Sequence, residues 1–254
     1  MTSPSPAPDG TGRHPILMVA IAANDLAASK AFYQKVFAWQ AHQITPDILA
    51  VGLPAGPAVT LRANTPAGFQ GVVPFVAVPD IDQALASATA AGGSLERAPW
   101  SVPMAGKLAR FRDPSGTIYG LTSAMAPGPV PPVPAPLGAN PKPPAGTVCS
   151  LEMYAADRDA AAAFLGSQFG WGAAETMPGY TAFNPGAGIG GVLQSHTPAM
   201  PAVAYVFATE VEAKLGEIEA AGGKAIGSAM RVPGVACFGY FTDPSGTTMG
   251  LIGP

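Results

Sequence analysis

The chain has 254 residues, long enough for two domains with their own cores, and 48% of them are hydrophobic against 11% charged. A net charge of -3 offers no basic surface for nucleic acid or anionic membranes, so neither is expected as a partner. No apolar run reaches the ~18 residues of a spanning helix, and Cys149 and Cys237 form no CxxC pair, which fits reduced thiols in the cytoplasm.

Residues 1–14 begin with a Pro-, Ser- and Gly-rich run that lacks the apolar segment of a signal peptide; they read as a disordered tail. The first module spans 15–126. Ile16–Ala22 is an apolar run of strand length stopped by Asn24-Asp25, which can cap a helix over 26–36. Short strands follow at 41–45, 48–53 and 58–62, broken by Pro46, Pro54 and Pro57. The plan then repeats: strand 72–78, cap at Asp80, helix 81–91 ended by Gly92-Gly93, and strands at 94–97, 107–112 and 117–122.

Residues 127–146 carry nine prolines in twenty positions and cannot support a helix or a ladder. They read as a polyproline-type linker with a reach of about 60 Å. The second module, 147–254, follows the first: strand 148–154, cap at Asp157, helix 158–169, strands at 172–176, 180–184 and 190–194, strand 203–208, helix 211–221, and strands at 224–228, 236–242 and 247–252. The order is β-α-β-β-β twice per module. An internal duplication accounts for it, because Asp113-Pro114-Ser115-Gly116-Thr117 returns intact as Asp243-Pro244-Ser245-Gly246-Thr247. Ala91-Gly92-Gly93 likewise returns as Ala221-Gly222-Gly223, and Phe37-x-Trp39 as Phe169-Gly170-Trp171.

These elements resemble the vicinal oxygen chelate superfamily of glyoxalases, bleomycin- and fosfomycin-resistance proteins and extradiol dioxygenases. The likeness rests on Asn24-Asp25-Leu26 through Phe32-Tyr33 to Phe37-x-Trp39, on its echo from Asp157 through Phe164 to Trp171, and on the two Asp-Pro-Ser-Gly hairpins. It is nearest the tandem-domain branch called hydroxylase- or glyoxalase-like. The resemblance implies an α+β fold of two tandem modules, each with paired βαβββ units forming a cupped mixed sheet with helices outside.

It also implies where a divalent metal would bind. Metal-binding members carry a His or Gln about seven residues before the helix-capping Asp, and a Glu after the hairpin glycine. Those positions, with their counterparts on the second-unit strands, hold Met18, Val73 and Gly120 in one module and Ser150, Val203 and Gly250 in the other. None is a usual ligand for such an ion. His14, His42 and His196 lie apart from these positions and read as loop or surface residues. No metal ligand and no cofactor is therefore assigned, and an open, glycine-lined cup is expected in place of the metal.

Alternation along strand 148–154 groups Ser150, Glu152 and Tyr154 on one face. Glu152 on that apolar strand reads either as a general base or ligand anchor, or as a carboxylate paired with Arg62, Arg110 or Lys107. Phe75, Tyr205 and Phe207 fall on the inward face of the second-unit strands, suiting either core packing or a planar ligand. Arg62 and Gln194 occupy matching positions, from which they reach a ligand or lie at the surface. A four-residue hairpin loop would turn Phe111, Phe241, Lys107 and Cys237 inward with Gly120 and Gly250, and Tyr240 outward; one slip of register reverses this. Cys237 lacks a neighbouring base and reads as a buried thiol, and Trp39 and Trp100 as packing residues.

The sequence leads to a metal-free tandem protein, monomeric or homodimeric, that takes up a small, partly aromatic or apolar organic molecule. Met18, Ser150, Phe75, Phe207, Arg62, Gln194, Gly120 and Gly250 would line its cleft. The alternative is a cofactor-independent isomerase, cyclase or lyase with Glu152 as base and Tyr154 or Tyr205 as proton donor. Metal-dependent lyase or dioxygenase chemistry ranks below both.

Overall fold

The computed structural model describes residues 14–103, 106–123, 141–196 and 200–254. The expected tail to residue 13, and the expected linker over 127–140, lie outside them. The first module runs β1 (Ile16–Ala22), α1 (Leu26–Phe37), β2 (Gln40–Thr45), β3 (Ile48–Gly52), β4 (Ala58–Arg62), β5 (Val72–Ala77), α2 (Ile81–Ala90), β6 (Ser94–Val102), β7 (Gly106–Arg112) and β8 (Ile118–Thr122). The second repeats it as β9 (Val148–Tyr154), α3 (Arg158–Phe169), β10 (Gly172–Met177), β11 (Tyr180–Asn184), β12 (Gly191–Gln194), β13 (Val203–Phe207), α4 (Val211–Ala220), β14 (Lys224–Val232), β15 (Ala236–Thr242) and β16 (Thr248–Gly253).

Each module forms a mixed eight-stranded sheet. The strand orders are β2-β3-β4-β1-β5-β8-β7-β6 and β10-β11-β12-β9-β13-β16-β15-β14. The paired βαβββ plan is thus present in both. Two strands run further than the sequence indicated: β6 continues to Val102 and β14 to Val232. Pro99 reads as a strand stop, but it falls within an irregularity between Arg97 and Trp100, where a missing N–H costs no ladder bond.

Helix starts follow the cap chemistry. Asp25, Asp80 and Asp157 each accept the backbone N–H three residues on, at 2.9 Å. The ends of α1 and α3 show a difference between the repeats. α3 stops on Gly170 in the left-handed region (φ 69), whereas α1 stops on Ala38 at φ 57, a conformation that crowds a Cβ.

By backbone contacts the chain makes two compact units that interleave its sequence. One gathers the described residues of 1–18, 73–132 and 151–202, and the other those of 19–72, 133–150 and 203–254. In the second unit Phe32, Tyr33, Phe37, Trp39 and Phe241 form an aromatic core, with Tyr33 stacked on Trp39 at 4.9 Å. Lys35 donates to Ala220 O and Lys214 to Val36 O, so each helix end has its open carbonyls capped by a lysine of the other. The first unit has the matching core of Phe111, Tyr119, Phe164, Phe169, Trp171 and Phe183. Each core tryptophan ties down a strand entry: Trp39 donates to Gly146 O, ahead of β9, and Trp171 to His14 O, ahead of β1.

The repeated hairpins are closed by their aspartates. Asp113 N–H bonds to Thr117 O, Gly116 N–H bonds to Asp113 O, and Thr117 N–H bonds to Asp113 Oδ1. Asp243 repeats the pattern and also accepts from the Tyr33 hydroxyl at 3.1 Å. Both carboxyls are buried, and desolvation pushes each up to about 6 despite the N–H bonds that favour ionisation.

Two predictions follow from these features. Ala38→Gly is expected to stabilise the protein by about 0.5–1 kcal/mol, read as a raised denaturation midpoint, because glycine removes the Cβ conflict. The folded state holds the Asp113 and Asp243 protons more tightly than the unfolded chain does. Their contribution is therefore full below pH about 4 and is lost as pH rises through about 6, by up to about 3 kcal/mol per carboxyl. Urea unfolding between pH 4 and 7 should show this slope, and Asp243→Asn should remove about half of it.

Candidate functional site

The hairpin fixes which residues share a face. Three loop residues, Pro114-Ser115-Gly116, lie between the closing partners Asp113 and Thr117, so Arg110 stands opposite Gly120 and Phe111 opposite Tyr119. In the second copy Tyr240 stands opposite Gly250 and Phe241 opposite Met249. The loop is one residue shorter than the expected four, so the faces are the reverse of those expected. Arg110 and Tyr240 share the side of Gly120 and Gly250, whereas Phe111 and Phe241 point into the helix-packed cores. Lys107 turns to the helix side, where it meets Asp82 of α2 at 3.0 Å. Cys237 faces α4, with its sulfur 3.7 Å from Glu212 Oε1. Cys149 is buried, and desolvation pushes its thiol up to about 12, which makes it unreactive.

The expected open cup at the glycines is filled. Phe75 pairs with Gly120 along β5 and β8, and its ring lies flat over the glycine, where a Cβ would overlap it. Tyr205 covers Gly250 in the same way. These rings occupy the space that a side chain at either glycine would need. The other positions hold Met18, Val73, Ser150 and Val203, and no cluster of three His, Cys, Asp or Glu that could hold a metal exists among the described residues. The donor set does not fit a divalent ion.

In the second unit, the face of β13–β16 turned away from α4 is aromatic. Gly239 backs onto Val211 and Leu215 of α4, which puts Phe238 and Tyr240 on the opposite side. The Tyr205 hydroxyl donates to that of Tyr240 at 2.5 Å. The Tyr205 ring meets Phe238 and Tyr240 edge-on, at 6.1 and 5.8 Å. Phe207 shares this face through the Phe207–Ile252–Phe238 row. On the edge strand β14, Ile226 and Met230 continue the surface and are 44% and 56% exposed. Phe238 and Tyr240 are half-buried, so the shelf passes from interior to solvent with one pair of phenols as its polar group. Such a surface suits a planar apolar ring carrying one hydrogen-bonding atom.

In the first unit, Glu152, Tyr154 and Gln194 do come together. Tyr154 pairs with Gln194, and Gln194 with Tyr180, while Glu152 stands one row away on the same face. Burial, and then the charge of Glu152, pushes the Tyr180 hydroxyl above its ordinary range. The Gln194 side-chain oxygen accepts His196 N–H at 2.5 Å. In the second unit, Arg62 Nε donates to Thr60 Oγ1 at 2.9 Å. Both Arg62 and Gln194 are buried and not at the surface. Met18 is buried and Ser150 half-buried. Sequence reasoning missed Tyr180 and Tyr240 as site residues; the hairpin register was the signal that could have found them.

Residues 16–118 match the Glyoxalase/Bleomycin resistance protein/Dioxygenase superfamily. No curated protein matches the chain in sequence. Among solved structures, a Mn(II)-bound glyoxalase from Novosphingobium aromaticivorans superposes with a TM-score of 0.61 at 14% identity, over 95% of this chain and 81% of that one. The 2,3-dioxygenase LapB from Pseudomonas sp. KL28 gives 0.63 at 15% identity, over 95% and 92%. A variant of homoprotocatechuate 2,3-dioxygenase from Brevibacterium fuscum gives 0.63 at 16% identity, over 98% and 74%. The chain has the vicinal oxygen chelate fold in two tandem modules, and the superfamily match lies in the first of them. No helix among the described residues is long and apolar enough to cross a membrane.

The ring-over-glycine contacts predict their own test. Gly120→Ala or Gly250→Ala should each cost about 1–3 kcal/mol by overpacking. Phe75→Ala combined with Gly120→Ala should cost less than the sum of the single changes, with a coupling of about 1 kcal/mol or more in denaturant unfolding.

Proposed function

We propose that the protein binds a small, partly aromatic organic molecule on the phenol-paired face of β13–β16, without a metal, in the manner of a sequestering or resistance protein. The observation that carries this reading is the pair of buried Tyr205, standing on Gly250, and half-buried Tyr240, beside Phe238 and the exposed Met230 and Ile226. A ring laid on this shelf gains apolar contact, and the Tyr240 hydroxyl supplies a directed hydrogen bond. Related structures include a Mn(II)-bound glyoxalase, and the donor positions here are the reason for a different reading. The low charge and the two free, buried cysteines support a cytoplasmic setting, with the chain as a monomer or homodimer and neither nucleic acid nor membrane as partner.

A second reading has its own observation. Burial, with the charge of Glu152 adding to it, raises the pKa of the Tyr180 hydroxyl, and the face shared by Glu152, Tyr154 and Tyr180 could move a proton with no cofactor. In that isomerase- or lyase-type chemistry Glu152 is the base, and Glu152→Gln abolishes turnover while sparing binding.

The test is binding of a neutral planar probe, 2-naphthol, with native mass spectrometry of protein purified without chelator. Saturable binding that weakens about five- to tenfold in Tyr240→Phe is expected, the loss of one hydrogen bond. A stoichiometric divalent ion, or equal affinity in Tyr240→Phe and Met230→Ala, would overturn the proposal.

A further inference from the structure

The same face of the first module carries a different chemistry. Along the row Phe75–Gly120–Arg110–Arg97, the position of Tyr240 is taken by a buried arginine, 4% exposed. Arg110 Nε meets Glu96 Oε2 at 2.5 Å. Arg97 places its guanidinium carbon 4.0 Å over the Trp100 ring, and that of Arg110 lies 5.6 Å from it. Burial lowers the Arg110 pKa, and the nearby charges of Arg97 and Arg112 press it the same way, with Glu96 opposing. Arg110 and Arg97 therefore stand with Glu96 and Trp100 in a partly desolvated setting. A guanidinium laid on an indole, beside a second buried guanidinium, suits a planar anion.

Two further observations point to a ligand. The Trp100 indole N–H is buried and has no hydrogen-bond partner among the described residues, so a donor is held in the cluster without an acceptor. β6 also departs from regular pairing twice, between Leu95 and Arg97 and between Arg97 and Trp100. These irregularities aim Glu96, Arg97 and Trp100, as bulges commonly do beside binding sites. The matching strand β14 has one irregularity and contributes Ile226 and Met230. Arg97, Trp100 and Glu96 are half-buried, so they border solvent.

We propose that the face of β5–β8 turned away from α2, at Trp100, Arg97 and Arg110, binds a planar aromatic carboxylate. The carboxylate takes the indole N–H and a guanidinium N–H as donors, and the aromatic ring stacks in the arginine–tryptophan layer. Glu96 holds the Arg110 guanidinium in place, and the guanidinium charges discriminate against cations. This site is independent of the phenol-paired face and does not need that reading to be correct.

The test uses the indole N–H resonances of the full chain, which has three tryptophans. 2-Naphthoate is expected to shift the Trp100 signal, identified by its loss in Trp100→Phe, in a saturable manner. The neutral 2-naphthamide should not shift it. Arg97→Gln should weaken naphthoate binding about tenfold, whereas Tyr240→Phe should leave it unchanged. An unmoved Trp100 resonance at millimolar naphthoate, an equal shift with the amide, or full affinity in Arg97→Gln would overturn the proposal. Loss of naphthoate binding in Tyr240→Phe would instead move the carboxylate to the other face and overturn this one.

Discussion

One carboxylate in each hairpin decides where the side chains of the neighbouring strands point. Asp113 and Asp243 accept N–H bonds within their own turns and close them on Thr117 and Thr247, leaving three residues in the loop. A strand alternates its faces with period two, so a loop longer by one residue would exchange every inward and outward position on β7 and β15. Phe111 and Phe241 would leave their aromatic cores, and Arg110 and Tyr240 would leave the opposite face. The glycines at 116 and 246 make the turn affordable, since both sit at positive φ (90 and 82). Burying the aspartates raises their proton affinity, which trades some stability at neutral pH for register.

The second constraint is the ring laid over a glycine. Phe75 on Gly120 and Tyr205 on Gly250 are the same contact in two copies, and the copies diverge only around it. Beside Gly250 the next strand offers Tyr240, so the covering ring becomes half of a hydrogen-bonded phenol pair. Beside Gly120 it offers Arg110, and the covering ring is a phenylalanine with no hydroxyl to pair. Each substitution agrees with its neighbour. Duplication kept the frame and let the two faces differ in charge.

Much of the fold was legible because its signals are local. Asp25, Asp80 and Asp157 mark helix starts through cap chemistry, and the repeated pentapeptide marks both hairpins. The site was less legible, because it depends on register. Tyr205 was visible from alternation on a single strand, but its partner Tyr240 requires the loop length across a turn. Pro99 hid the outer half of β6, and with it the placement of Trp100 beside Arg97 and Arg110. Arg62 and Gln194 looked like residues for ligand or solvent, since nothing in the sequence shows that Thr60 and the backbone of His196 engage them.

The glycines stand where the family resemblance would place a ligating carboxylate, and their packing bears on whether one fits there. Exchanging a ligand for a small residue alone would leave a hole lined by apolar strands, which costs stability in proportion to its volume. Here the ring across the strand pair fills that volume, so the change at Gly120 or Gly250 and the ring at Phe75 or Tyr205 support each other. Placing a carboxylate at either glycine would require removing the ring as well. An intermediate with both would be overpacked, and one with neither would be hollow. The ring and the glycine therefore lock the face into its aromatic form. The groups around them differ, a phenol pair in one module and an arginine–tryptophan layer in the other.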